Sequence, residues 1–145
     1  AEAAARGLRA RFLGVQTPAQ VNALMQRATV VCGPSVVDAR GNAEGLPFTF
    51  LEAQACGCPV VVSTSGGTGE GVADGETGFL FAPGDEVALA RHLIAVLTDP
   101  ERRARMSRAA RQRMVERFNL ERQTRVLERI YDGVVRGENR PGRPG

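Results

Sequence analysis

Two short runs of β-branched residues limit what this chain can build. Ala28 to Cys32 is stopped by Gly33-Pro34, and Pro59-Val60-Val61-Val62-Ser63 runs into the glycine-rich stretch Ser65-Gly66-Gly67-Thr68-Gly69. The second run has no polar alternation, which is the mark of a strand covered on both faces. Helical patterns surround these runs. Residues 18–27 place Val21, Leu24 and Met25 at helical spacing behind Pro18, and Pro47 to Cys56 reads as a helix stopped by Gly57. Asp85 to Thr98 carries Val87, Leu89, Leu93, Val96 and Leu97 on a helical face, and residues 100–116 and 120–135 give two further helices. Arg11-Phe12-Leu13-Gly14 and Thr77-Gly78-Phe79-Leu80-Phe81 are predicted as short strands, residues 35–46 as a loop, and Ser65 to Gly69 as a flexible loop. Short buried strands alternating with helices predict an α/β fold: a parallel sheet flanked by helices. Ligands of such sheets bind beyond the C-terminal ends of the strands. That points to the loops after residues 32 and 62.

Composition narrows the chemistry by subtraction. All 19 basic residues among the 145 are arginine, which removes Schiff-base chemistry on lysine, pyridoxal catalysis and a phosphate loop built on lysine. One histidine, His92, leaves little for a Ser-His-Asp triad or a histidine metal site, and it is read as a helix-surface residue. Cys32, Cys56 and Cys58 form no even disulfide framework, and Cys56-Gly57-Cys58 is too tight for a usual zinc pair, so all three are read as small buried thiols. No metal and no cofactor are expected. The formal charge of +3 is unevenly spread: six arginines meet ten acids through residue 100, and thirteen meet six beyond it. Phe118 and Tyr131 are the only aromatics in that basic third, too few to interleave with bases, so no nucleic-acid partner is expected and the arginines are read as a solvated helix face. No apolar stretch approaches a membrane span, and the N-terminus lacks the charged-then-apolar order of a secretory signal. The chain reads as cytoplasmic.

The loop after the first strand leads into Glu44-Gly45-Leu46-Pro47-Phe48-Thr49-Phe50-Leu51-Glu52-Ala53. Pro47 suits the first helical position, because its missing N–H would have had no partner there. The amides of Phe48, Thr49 and Phe50 are then free, and with the helix dipole they suit a phosphate or diphosphate. Glu52 shares the Thr49 side of the helix, placed to accept hydrogen bonds from a diol, and Glu44 lies on the other side of the anion. Two acceptors flanking an anion site fit a nucleotide sugar. The plain alternative is a loop carboxylate at Glu44 and a ligand-free helix carboxylate at Glu52.

Glu44 and Glu52 resemble the E-x7-E motif of retaining glycosyltransferases of the GT-B fold, family 4. The surroundings are similar as well: Pro34-Ser35, Glu44-Gly45-Leu46-Pro47, Leu51-Glu52-Ala53, Ala55-Cys56-Gly57-Cys58-Pro59-Val60-Val61, Gly66-Gly67 to Glu70, Asp74-Gly75-Glu76-Thr77-Gly78 and Pro83-Gly84-Asp85. The ordered set spans residues 12–131. The stretch from Asn42 to Pro47 looks most like enzymes of bacterial exopolysaccharide assembly.

This resemblance implies a Rossmann-like donor-binding domain over residues 1–136, with residues 137–145 a disordered tail. Glu44 would contact the donor-sugar hydroxyls and support an oxocarbenium-like centre, and Glu52 would hold the ribose hydroxyls. Gly45, Leu46 and Pro47 would line the sugar side, with the amides of Phe48, Thr49 and Phe50 toward the diphosphate. The implied reaction transfers a sugar with retention from a nucleotide-diphosphate sugar to a glycan or lipid-linked acceptor, in exopolysaccharide or cell-envelope glycan synthesis. It requires no metal.

The pattern also departs from the family. It begins near Phe12, so the acceptor-binding N-terminal domain and the first donor-domain strands, with the Arg and Lys that neutralise the leaving diphosphate, are absent from the match. The Gly66-Gly67 loop is one residue shorter than is common, with Gly69 where proline is frequent, which leaves Glu70 a structural residue. The expectation is a truncated donor-binding part, inactive by itself. A second reading is a non-catalytic nucleotide-sugar-binding or partner-docking module, using the sheet edge left by the missing strands. A nucleotide-sugar epimerase ranks lower, since those enzymes lean on histidine and basic residues that this chain lacks. The basic third and a lipid-linked acceptor are compatible with peripheral contact at the inner face of the membrane.

Overall fold

The computed structural model describes residues 6–36 and 45–137. In chain order it has α1 (Pro18–Arg27), β1 (Val31–Gly33), α2 (Phe48–Ala55), β2 (Val60–Ser63), α3 (Thr68–Gly71), β3 (Gly78–Phe81), α4 (Glu86–Thr98), α5 (Pro100–Arg117) and α6 (Leu120–Val135). The strands form one parallel sheet in the order β1-β2-β3, with Val31 opposite Val60 and Val60 opposite Gly78. The α/β fold with a parallel sheet and flanking helices is the one expected.

The central strand explains the layering. All four residues of β2 are buried. Side chains alternate across a strand, so Val60 and Val62 join Met25, Phe50, Ala53, Cys58 and Val72 in one core cluster, while Val61 joins Phe81, Ala88, Val96 and Met106 in another. α1 and α2 therefore cover one face, and α4 and α5 the other. β3 approaches β2 so closely that a Cβ on Gly78 would fall against the carbonyl of Val60.

Helix starts follow local chemistry. Thr17 and Gln20 form a reciprocal capping box before α1, and Asp85, Asp99 and Asn119 cap α4, α5 and α6 through bonds to the backbone N–H three residues on. The helix ends have a less local solution. Arg111 Nη1 donates to Ala55 C=O of α2 at 2.7 Å, and Arg113 Nη2 donates to Glu70 C=O of α3 at 2.8 Å. Arg103 Nη1 reaches Val96 C=O of α4 at 3.3 Å, and Arg122 Nη1 reaches Glu116 C=O of α5 at 2.7 Å. Four consecutive helices thus have last-turn carbonyls met by a guanidinium, where the helix dipole favours positive charge.

Several expectations need correction. Residues 11–14 form no strand: the sheet ends at β1, and Phe12 is 88% exposed with no ladder partner. A β-run without a neighbouring strand gains none of the hydrogen bonds that define one. The Ser65–Gly69 loop turns helical at Thr68, whose hydroxyl donates to Ser65 C=O and is buried. α5 is only partly a solvated face: it buries Met106, Ala110 and Met114, and Arg103, Arg111 and Arg113 reach helix-end carbonyls, while Arg105, Arg108 and Arg117 are exposed as expected. Among the thiols Cys58 alone is buried; Cys56 is half-buried and Cys32 exposed. His92 stacks on Phe79 of β3 with ring centroids 4.5 Å apart, so it packs on the sheet. The expected tail from residue 138 onward lies outside the described residues. No helix of the described residues is long and apolar enough to cross a membrane.

Gly78→Ala is expected to destabilise the fold by about 1–3 kcal/mol, because the added methyl meets backbone that cannot rotate away. Gly69, with open space around its Cβ position, gives the control. Urea denaturation of both alanine variants should show a loss for Gly78→Ala alone.

Candidate functional site

Glu44 lies outside the described residues, so the geometry begins at Gly45. Gly45 C=O accepts the amide of Gly67 at 3.0 Å, which ties the segment before α2 to the loop before α3. Leu46 packs toward Gly71, where an added Cβ would sit 3.0 Å from its Cδ1. Pro47 occupies the N-cap rather than the first helical position, with φ −67° and ψ 114° and no side-chain cap bond. α2 is thus the one described helix of eight residues or more that starts without a side-chain cap.

This changes which amides remain. Phe50 N–H donates to Pro47 C=O at 3.1 Å, so it is not free as the sequence suggested. A proline at the N-cap still offers a carbonyl, and the third amide of the helix turns back to it. Phe48 and Thr49 donate to no backbone carbonyl among the described residues. Their side chains are exposed, Phe48 at 78%, whereas the Phe50 ring is buried against Gly33, where even an added Cβ would collide with it. The start of α2 is held by Phe50 from below and left open above.

Thr49 and Glu52 do share a face. Both line a cavity of about 820 Å3 between α1 and α2, together with Gln16, Pro18, Val21 and Asn22. That is within the usual size of small-molecule sites, ~300–1,000 Å3. Farther along the wall, Asn22 Oδ1 accepts from Gln26 Nε2 at 2.6 Å and from the Cys56 thiol at 3.7 Å, and Arg111 is the single cation among the lining residues. Sequence reading missed the α1 wall, because Gln16 to Gln26 carry no motif. The only signal was a helix with polar residues beside Val21 and Met25. Among the described residues no cluster of three His, Cys, Asp or Glu could hold a metal ion.

Behind the site, the Cys58 thiol is pushed up from 9.0 to about 11, first by burial and secondarily by the nearby Cys56, against a lowering backbone bond from Val31. Its Sγ donates toward Ala28 C=O and Pro59 C=O at 3.5 and 3.6 Å.

The chain belongs to a glycosyltransferase family: the family model described as "Glycosyl transferases group 1" matches residues 1–113. The match starts before Phe12, where the motifs begin; the alanine- and arginine-rich residues ahead of it carry no motif to show it. The chain is 38% identical over 137 residues to a glycogen synthase of Mycobacterium tuberculosis, covering 94% of this chain and 32% of that protein. Among solved structures, sucrose-phosphate synthase of Thermosynechococcus elongatus aligns with a TM-score of 0.79 at 27% identity, over 94% of this chain and 33% of the other. Anabaena Alr3699/HepE in complex with UDP-glucose aligns with a TM-score of 0.76 at 27% identity, over 90% and 35%. The chain spans about a third of the length of each of these three proteins.

The raised Cys58 pKa has a consequence with a definite sign. The folded state resists losing this proton, so the thiol's contribution is fully present below pH 9.0 and is lost as pH rises toward about 11. Wild-type stability, followed by urea denaturation from pH 8 to pH 10.5, should fall more steeply than that of Cys58→Ala.

Proposed function

We propose that this chain is the donor-binding part of a retaining glycosyltransferase that uses a nucleotide-diphosphate sugar. The observation that carries the reading is the uncapped start of α2, where the amides of Phe48 and Thr49 meet no backbone carbonyl among the described residues, on a helix whose Thr49 and Glu52 line a cavity. Backbone N–H groups at a helix start suit a diphosphate, and they act most strongly when charge builds up on it as the sugar departs. Glu52 then accepts hydrogen bonds from the ribose diol. Gly45, Leu46 and Pro47 border the sugar, and Glu44, seven residues before Glu52, takes its hydroxyls and supports the oxocarbenium-like centre. Phe50 serves from the core, not through its amide. The Anabaena protein's complex with UDP-glucose supports the ligand class. In this reading the donor domain occupies residues 1–136, the acceptor is a glycan or lipid-linked sugar bound elsewhere in a longer enzyme, and the transferred group is a hexose.

Sugar transfer by the chain alone is expected to be weak or absent. Arg111 is the one cation lining the cavity, and its Nη1 is already spent on Ala55 C=O. A departing diphosphate therefore meets little positive charge among the described residues, and such charge supplies much of leaving-group stabilisation.

Isothermal titration of the 145-residue chain with UDP-glucose, GDP-mannose and ADP-glucose tests the reading. One of the three should bind, and Glu52→Ala should weaken it by about tenfold, ~1.4 kcal/mol. Absence of binding to all three, or equal binding by the variant, would refute the donor assignment. Measurable transfer by the chain alone would refute the expected inactivity.

A further inference from the structure

α3 is a helix of four residues, Thr-Gly-Glu-Gly, which cannot hold itself together by propensity. Its position is imposed from outside. In front, the Gly67 amide that opens it donates to Gly45 C=O at 3.0 Å, and a Cβ at Gly67 would stand 3.4 Å from the backbone of Gly45 and Leu46. A Cβ at Gly71 would meet Leu46 Cδ1 and Leu51 Cδ2, both at 3.0 Å. α3 and the segment leading into α2 therefore lie in close contact, and a methyl at Gly71 would require Leu46 and Leu51 to shift.

Behind α3, two side chains from different helices grip adjacent carbonyls. Arg113 Nη2, from α5, donates to Glu70 C=O at 2.8 Å. Gln54 Nε2, from α2, donates to Gly71 C=O at 3.1 Å and to Phe50 C=O at 3.2 Å. Gln54 is fully buried, and Arg113 stands one residue before the buried Met114, so α5's own packing fixes where the guanidinium lies. The Arg113 Nε is also buried. The arrangement is a clamp: the Arg113 guanidinium of α5 holds the back of α3, and the front of α3 meets Gly45.

We propose that Arg113 is a positioning residue for the candidate donor site, acting through Glu70 C=O, α3 and the Gly67–Gly45 hydrogen bond, with Gln54 as its companion on the next carbonyl. This rests on the donor-binding reading for its functional half. The structural half, that Arg113 sets the Gly45–Gly67 contact, stands on the distances given above. The Arg113 hydrogen bond reaches the segment before α2 by way of α3, so its removal is expected to loosen Gly45 to Pro47 more than Phe48, Thr49 and Glu52, which belong to α2 and are held by α5 through other contacts as well.

The test compares wild type, Arg113→Met and Arg113→Lys as the full 145-residue chain. Methionine keeps an apolar stem and removes every donor, and lysine restores a charged ammonium, with three N–H donors on a single nitrogen, near the tip. Amide hydrogen exchange by NMR reads the Gly67 N–H against the Val61 and Val62 amides of β2, which report on the whole fold. The Gly67 amide should exchange at least about tenfold faster in Arg113→Met, ~1.4 kcal/mol, with a smaller change in β2. Arg113→Lys should recover part of the protection. The dissociation constant for whichever of UDP-glucose, GDP-mannose or ADP-glucose binds wild type should rise about tenfold in Arg113→Met and partly return in Arg113→Lys.

Unchanged exchange at Gly67 overturns the proposal. So does equal acceleration at Gly67 and in β2, which would make Arg113 a general stabiliser. Should Arg113→Met fail to fold, Arg113→Lys decides by the same ratio of rates. If exchange at Gly67 responds and no nucleotide sugar binds wild type, the donor reading falls and takes the functional half with it. Binding in wild type that Arg113→Met leaves unchanged overturns the functional half alone.

Discussion

Burial of β2 on both faces is the constraint from which the rest of the structure follows. With Val60, Val61 and Val62 fully buried, β2 needs a strand on either side and a helical layer above and below. β1 and β3 supply the strands, α1 and α2 one layer, and α4 and α5 the other. Once α2 lies against β2, Phe50 and Ala53 face the core, and the opposite side of the same helix presents Thr49 and Glu52 to the cavity. The candidate site is thus the outer face of a helix whose inner face is committed to the sheet.

Helix ends show how a chain without lysine organises its surface. Arg103, Arg111, Arg113 and Arg122 each place a guanidinium on the last-turn carbonyls of a different helix. A planar group with several donors suits this task, because it can meet a carbonyl while its stem packs along apolar surface. The exposed ion pairs Arg102–Asp99, Arg105–Glu101 and Arg125–Glu121 add little by comparison, since each is solvated and local.

What the sequence made legible was what local periodicity determines. The Val60–Ser63 run, the helices from Pro18, Glu86, Pro100 and Leu120, and the parallel α/β arrangement all follow from spacing within ten to twenty residues. What it hid depends on distant partners. Arg11 to Gly14 has strand composition, yet strand structure is a property of a pair. Thr68 to Gly71 has poor helix propensity, yet Gln54 and Arg113, remote in sequence, hold it. At the site, Thr49 and Glu52 were placed together correctly by helical spacing. The Phe50 amide was misread because Pro47 sits one position earlier than its N1 preference suggests. The α1 wall was invisible because a cavity between helices leaves no motif.

The capping arginines also change what the basic third of the chain offers to its surroundings. A helix C-terminus carries roughly half a negative charge. Each guanidinium laid on such an end forms a local dipole, positive outside and negative beneath, with donors already turned inward. A polyanion drifting past α5 and α6 therefore finds fewer available contacts than the arginine count advertises, and the carboxylates of Glu121, Glu128 and Asp132 are interspersed among those that remain. Four of the nineteen arginines thus report on how helices are finished rather than on charge turned outward.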